Sequence, residues 1–315
     1  MKILVTGASG FIGSALVRRL QLDRRNALSG TARDGFSGAA PGAVPLFAGD
    51  LAPTADWRGA VAGMDVIVHT AARVHLTRDT ATNALMEHRY VNTAGTLNLA
   101  RQAAAAHVRR FIFLSSIGVN GAETFTRPFV ADGTVVPHSP YAVSKHEAEL
   151  GLRALTAETG MEVVIIRPPL VYGPGAPGNF STLIRWLRRG VPLPLGAIHN
   201  QRSFVGLDNL LHLIEICLCH PAAENQTFLV SDGEDLSTTQ LLQRMGQALG
   251  KPARLIPVPP MLIKLGAALV GKPDVAQRLC DSLQVDISKT RQLLGWSPPV
   301  SVDEGLKKAA QGYLA

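Results

Sequence analysis

Short runs of continuously apolar residues recur along the first half of the chain: Ile3-Leu-Val5, Val66-Ile-Val68 and Val163-Val-Ile-Ile166. Such runs read as strands buried on both faces. Strands are predicted at 2–6, 28–32, 44–48, 65–69, 110–115 and 162–167. Longer stretches with helical patterning lie between them, at 12–22, 83–107 and 140–159. Alternation of this kind implies right-handed crossovers and a parallel sheet covered by helices on both faces. The expected class is α/β, with a doubly wound parallel sheet.

Beyond about residue 170 the pattern becomes irregular. Proline and glycine crowd 168–177 and 190–196, and helical patterns return at 236–249, 260–270 and 302–312. The chain is expected to divide into a main α/β domain over 1–170 and a smaller, mostly helical lobe over 171–315, with some chain crossing back. The segment 259–269 is apolar enough to suggest membrane contact, but an amphipathic helix of the lobe is the simpler expectation. No apolar run reaches the roughly 18 residues that a membrane span requires. The apolar start is too short for a signal peptide.

Composition narrows the function classes. With 46% hydrophobic and 17% charged residues, the 315-residue chain is globular. Three cysteines, Cys217, Cys219 and Cys280, make no disulfide framework and fit a reduced, cytoplasmic setting. A metal site at Cys217 and Cys219 with His212 and His220 is disfavoured, because 210–219 reads as a buried helix. The net charge of +7 is dispersed in arginine pairs without interleaved aromatics. It suits an anionic small molecule better than a nucleic acid, and neither a nucleic acid nor a membrane is expected as a partner.

Directly after the first strand stands Gly7-Ala-Ser-Gly10-Phe-Ile-Gly13, followed by a helical run. A glycine turn between strand and helix permits a tight reversal at Gly7, backbone approach to a pyrophosphate at Gly10 and helix–strand packing at Gly13. The helix N-terminus then presents free N–H groups to phosphates. At the end of the second strand stand Arg33 and Asp34. Arginine there accommodates the extra phosphate of NADP, whereas an acidic residue binds the ribose of NAD. NADP(H) is favoured, and Asp34 keeps NAD(H) open. Asp50 is placed to take the adenine amine or to act as an ordinary turn aspartate.

Ser139-Pro-Tyr141-Ala-Val-Ser-Lys145 carries the chemistry. With Ser139 as N-cap and Pro140 in the first turn, a helix would bring Tyr141 and Lys145 to one face, a turn apart. A phenol titrates near 10, too high for acid–base work at neutral pH, and a neighbouring ammonium would lower it. Ser116 ends the fifth strand, 25 residues before Tyr141.

The glycine turn, Ser116, Tyr141 and Lys145, with His69-Thr-Ala-Ala72, Arg167-Pro-Pro-Leu-Val-Tyr-Gly-Pro174 and Leu294-Gly-Trp, resemble the extended short-chain dehydrogenase/reductase family over nearly the whole chain. Within it the closest likeness is to the nucleotide-sugar epimerase and reductase branch. The resemblance implies a Rossmann-type fold, with Tyr141 as acid–base residue and Ser116 holding the reacting oxygen. Lys145 would lower the Tyr141 pKa and hold the nicotinamide ribose. Cofactor-lining positions fall on Ser9, Phe11, Ile12, Leu51, Thr70, Ala71, Ala72, Asn92 and Pro168. For a UDP-sugar, Asn179, Arg202 and Arg278 fall near diphosphate-binding positions, and Leu193 and Leu195 where uracil packs. Ser116-Ile-Gly118 stands where 4,6-dehydratases carry Thr-Asp-Glu, which argues against loss of water. Asn120 replaces a tyrosine common in the branch. The expected activity is reduction of a UDP-4-keto-6-deoxy-N-acetylhexosamine for surface polysaccharide, with UDP-hexose 4-epimerisation as the alternative. Reduction of a non-nucleotide ketone and a non-catalytic sensor stand further off. A homodimer through the helices at 83–107 and 140–159 is also implied.

Overall fold

A computed structural model describes residues 1–33, 46–74 and 81–314. The chain begins with β1 (Lys2–Thr6), α1 (Phe11–Leu20), β2 (Ala27–Ala32), β3 (Leu46–Ala48), the single turn α2 (Arg58–Val61) and β4 (Val66–His69). A long helical rod follows in three parts: α3 (Ala81–His88), a π-helical turn over Arg89–Gly95, and α4 (Thr96–Ala105). Next come β5 (Arg110–Leu114), a 3₁₀ turn at Ile117–Val119, α5 (Pro140–Thr159) and β6 (Glu162–Arg167). The remainder comprises β7 (Leu170–Tyr172), α6 (Asn179–Arg189), β8 (Arg202–Gly206), α7 (Leu207–Cys217), β9 (Thr227–Leu229) and β10 (Asp235–Leu236). It ends in α8 (Thr238–Ala248), α9 (Pro260–Leu269), α10 (Pro273–Cys280), α11 (Ser288–Leu294) and α12 (Val302–Leu314).

Seven strands pair in the order β3-β2-β1-β4-β5-β6-β9, every pair parallel. Strand order reverses between β1 and β4, so crossovers leave to opposite sides there and open a crevice beyond the strand ends. Thr6 and His69, the last residues of these two strands, are register partners at its floor. Alternate residues of one strand serve opposite cores. Ile3 and Val5 join one apolar cluster and Leu4 the other, which explains why the runs are apolar without a break.

Helix α5 begins as its sequence requires: Ser139 Oγ accepts a hydrogen bond from the Ala142 N–H at 3.2 Å, and Pro140 occupies the first turn. Gly160, at φ +73°, ends it in the left-handed region. The strand expected at 44–48 is described from Leu46 only.

The second half departs from expectation in three ways. β9 crosses back as a seventh parallel strand. β7, β8 and β10 form a separate three-stranded sheet, too short and too interrupted by proline and glycine to show a period. The helix at 260–269 exists but is not amphipathic, and none of its residues is buried.

One buried ion pair ties the main sheet to α5. Arg167, from the end of β6, donates to both carboxylate oxygens of Glu149 at 2.9 and 2.5 Å, and both side chains are buried. Ser115 donates to the same carboxylate at 2.6 Å, and Asn120 accepts from Arg167 at 3.1 Å. Removing Glu149 strands the Arg167 charge without solvent, and removing Arg167 leaves Glu149 only the part-exposed Arg153 at 3.5 Å. Arg167→Met is therefore expected to cost about 3–5 kcal/mol in chemical denaturation. Arg167→Met combined with Glu149→Met should cost clearly less than the sum of the two single changes, and simple additivity would disprove the coupling.

Candidate active site

The crevice wall at β1 is built by the glycine turn. Gly7 sits at φ +70°, and a Cβ there would lie 2.9 Å from backbone atoms of Ala71. A Cβ on Gly13 would lie 2.1 Å from the Gly7 carbonyl oxygen, so α1 reaches the strand end only with glycine at that position. Gly10 and Ser9 are exposed, Phe11 and Ile12 half-buried. No side chain caps α1 and no acid stands in its first turn, so its N–H groups face the crevice without a competing anion. Across the crevice Thr70 donates to the Thr6 carbonyl at 2.6 Å, which places half-buried Ala71 and Ala72 opposite the turn.

At the end of β2 Arg33 is exposed, and its neighbour Asp34 lies outside the described residues. Asp50 turns back on its own loop, its Oδ1 accepting from the Leu51 N–H at 3.0 Å, as an ordinary turn aspartate does. Leu51 is buried in the core beneath. Pro168 is buried and lends its carbonyl to the Ile117 N–H at 3.0 Å, fixing the turn after Ser116.

Asn92 differs from the cofactor-lining position expected of it. It is wholly buried, its amide accepting from the Arg73 N–H at 2.8 Å and donating to the Arg73 carbonyl at 3.0 Å and to Ser144 Oγ at 3.2 Å. It thus pins the loop after β4 to α5 rather than presenting its side chain to a ligand. The π-helical turn, a device common at functional sites, aims it there. Thr93 in the same turn donates to the Ser144 carbonyl at 2.9 Å.

Lys145 and Tyr141 leave the first two turns of α5. Lys145 is 1% exposed, and its ammonium lies 4.3 Å from the centre of the Phe113 ring. Its three donors have no acceptor among the described residues. Burial lowers it to about 7, with Glu149 one turn on working the other way. Burial likewise pushes the half-buried Tyr141 up to about 12. The expected lowering of Tyr141 by Lys145 is absent from the protein alone, because the lysine is itself starved of solvent and sits against an aromatic face. Ser116 is half-buried, and its Oγ accepts from the Gly118 N–H at 3.1 Å, which leaves its own hydrogen free to donate.

Sequence reasoning missed several residues around this pair. His69 is fully buried between Thr6 and Thr96, at 2.7 and 2.9 Å, and stacks on Phe113. Burial, and then the charge of Lys145, hold it well below the usual histidine range, so it is neutral. His88 packs edge-on to Tyr141. Glu149, one helical turn past Lys145, was available from spacing alone. A Cβ on Gly118 would lie 2.9 Å from the ring of His138. The place of the dehydratase acid is therefore sterically filled as well as chemically empty.

On the lobe side, Arg202 opens β8 and donates to the Asp281 carbonyl at 2.8 Å. Burial holds it below its usual value; Asp281 opposes this and Arg278 repels it further. Arg202 and exposed Arg278 of α10 are thus close enough to feel each other's charge, an arrangement an anion would relieve. Asn179 is the first residue of α6, and its side chain lies outside the described residues. Leu193 and Leu195 do not match the expectation: both are 4% exposed and packed into the lobe core, with Pro194 exposed between them. Asn120 is spent on Arg167 and the Val130 carbonyl.

Comparison with known proteins agrees with this architecture. A UDP-glucose 4-epimerase of Vibrio cholerae is 44% identical over 314 residues, covering 99% of this chain and 95% of that protein. The structure of the UDP-glucose 4-epimerase of Thermotoga maritima with UDP-glucose superposes with a TM-score of 0.79 at 21% identity, covering 100% of this chain and 99% of that one. The UDP-glucuronic acid 4-epimerase of Bacillus cereus with NAD gives a TM-score of 0.79 at 23% identity, covering 99% and 96%. These two likenesses carry the fold. The model of the NAD dependent epimerase/dehydratase family matches residues 3–231, more than half of the chain, and the protein belongs to that family.

Proposed function

We propose that the protein is a UDP-sugar 4-epimerase that retains its nicotinamide dinucleotide through the catalytic cycle. Near full-length identity of 44% to a UDP-glucose 4-epimerase carries this reading, together with an intact Ser116, Tyr141 and Lys145 at the crevice. It is preferred to the ketoreductase that the family resemblance and Arg33 suggested. The residues present fit a dinucleotide: the turn has no room for a Cβ at Gly7 or Gly13, and the buried Lys145 ammonium has no acceptor among the described residues.

A bound nicotinamide supplies the carbon that accepts and returns a hydride. The chain must move a proton on and off the C4 oxygen of the sugar. Tyr141 does so as general base and then as general acid. At about 12 its phenol holds its proton firmly, so the base form requires a nearby positive charge. Lys145 provides it once ribose hydroxyls supply the acceptors its ammonium lacks. Ser116 donates to the C4 oxygen. Arg202 and Arg278 grip the diphosphate, an arrangement that suits epimerisation: the sugar must turn over while the nucleotide stays held. Asn120, turned inward, leaves the sugar one contact fewer.

A second reading, reduction of a UDP-4-keto sugar by NADPH, is favoured by exposed Arg33 at the end of β2. Homodimerisation through α3, the π turn and α5 belongs to the main proposal, since Met86, Tyr90 and Leu150 are exposed along them.

Purified protein is expected to interconvert a UDP-hexose and its C4 epimer with no net change in nicotinamide absorbance, and to carry a copurifying dinucleotide. Net NADPH consumption with a 4-keto substrate and no epimerisation would overturn the proposal in favour of the second reading. Tyr141→Phe should lower kcat by about 10²–10⁴-fold. Arg202→Ala should raise KM by roughly tenfold with a smaller effect on kcat. If neither kinetic constant moves, the diphosphate is held elsewhere.

Lys145 gives a pH-dependent outcome. Below about 7 both folded and unfolded chains hold its proton, and folding bears the full cost of burying the charge. Between about 7 and 10.5 only the unfolded chain keeps the proton, so this cost fades as pH rises. Lys145→Met should abolish activity yet raise the Tm of the cofactor-free protein by a few degrees below pH 7. That gain should disappear towards pH 10.5, and a gain independent of pH would refute the assignment.

A further inference from the structure

Helix α9 breaks the rule that a helix apolar on all sides is buried. Its sequence, Pro-Met-Leu-Ile-Lys-Leu-Gly-Ala-Ala-Leu, contains one charged residue, and no residue of it is buried. Ile263 is packed against the lobe core, on the inward side. The outward side carries Met261 (81% exposed), Leu262 (56%), Leu265 (58%) and Leu269 (81%), at the spacing of one helical face, with Val270 (69%) following. A contiguous exposed apolar surface of this kind marks an interaction site.

The surroundings say what covers it. Residues 251–281 contain five basic side chains, Lys251, Arg254, Lys264, Lys272 and Arg278, against two acidic ones, Asp274 and Asp281. Lys264 already pairs with Asp281 at 2.5 Å. All five are exposed, and Lys264 within α9 with Lys272, two residues past Val270, gives the apolar stretch a basic rim. A second copy of the chain docked face to face would bring the same positive rim against itself, which disfavours self-association here. An anionic lipid surface satisfies both features, taking the apolar side chains below its headgroups and the lysines and arginines among them. No helix among the described residues is long and apolar enough to cross a membrane, and α9, ten residues long, would lie in the plane of the interface.

We infer that the α9–α10 hairpin is a docking surface for an anionic bilayer, in place of the ordinary lobe helix that sequence alone suggested. Arg202 and Arg278 lie at the same end of the lobe, as Asp281 shows by meeting both Lys264 and Arg202. Docking therefore brings the diphosphate-binding side of the crevice close to the lipid surface.

Flotation with vesicles of phosphatidylglycerol and phosphatidylcholine, against phosphatidylcholine alone, tests this directly. The protein is expected to float with the anionic vesicles, less with neutral ones, and to be released by rising salt. The double variant Leu265→Glu/Leu269→Glu should reduce the bound fraction at least tenfold while leaving circular dichroism and turnover of soluble UDP-hexose unchanged. Lys272→Glu should weaken binding by a smaller factor. The inference fails if the wild-type chain stays in the soluble fraction with anionic vesicles at low salt, or if the double variant floats equally well. It fails too if the double variant changes the sedimenting mass without changing flotation, because a second copy then covers α9. Flotation, circular dichroism and sedimentation do not depend on which sugar the enzyme uses, so their failure is distinguishable from failure of the proposed activity.

Discussion

Helix α5 carries two ionisable side chains, Lys145 and Glu149, to depths that water does not reach, and the surrounding structure answers them separately. Glu149 is neutralised by Arg167 and hydrogen-bonded by Ser115, so the carboxylate is held from the ends of β5 and β6. Lys145 receives only an aromatic face and a carboxylate already shared. The imbalance is the constraint on which the site depends. A lysine satisfied within the protein would gain nothing from a ligand, whereas this one lacks acceptors among the described residues and would gain them from the hydroxyl groups of a bound dinucleotide. Cost left in the folded state is recovered on binding, and the position is fixed by a pair that no substrate touches.

The Rossmann half was legible because its physics is periodic. Strands buried on both faces must be apolar at every position, and the glycines at 7, 10 and 13 mark where backbone meets backbone. Helix α5 announced its start through Ser139 and Pro140. The small sheet of β7, β8 and β10 was invisible, since strands of two to five residues held by long-range pairing leave no local period. β9 was missed for the same reason.

Within the site, residue identity could be read more readily than side-chain direction. Tyr141 and Lys145 leave successive turns of α5, as their spacing predicted, and Ser116 caps the 3₁₀ turn that packs against that helix. Asn92, Leu193 and Leu195 also stand at their expected chain positions, but their side chains are spent on the loop and the core. Whether a side chain serves a ligand or its neighbours depends on partners far away in sequence. Arg73 and Ser144 claim Asn92, and no local pattern around Asn92 shows it.

The same reasoning explains why catalytic residues do not separate an epimerase from a reductase. Both need one proton moved at the C4 oxygen, and Ser116, Tyr141 and Lys145 serve either direction. The difference lies in what is released. A reductase must exchange its dinucleotide every turnover, whereas an epimerase must keep the dinucleotide and let the sugar turn while the nucleotide stays bound. Side-chain contacts to the sugar slow that rotation, and contacts to the diphosphate do not. Of the two residues that the resemblance places near the sugar, Asn120 is committed to Arg167 and Gly118 lacks a side chain. The cationic pair stands on the lobe, on elements separate from those that carry the proton switch. Under the proposed assignment of Arg202 and Arg278 to the diphosphate, that distribution would grip the nucleotide more than the sugar and so favour rotation within a held complex.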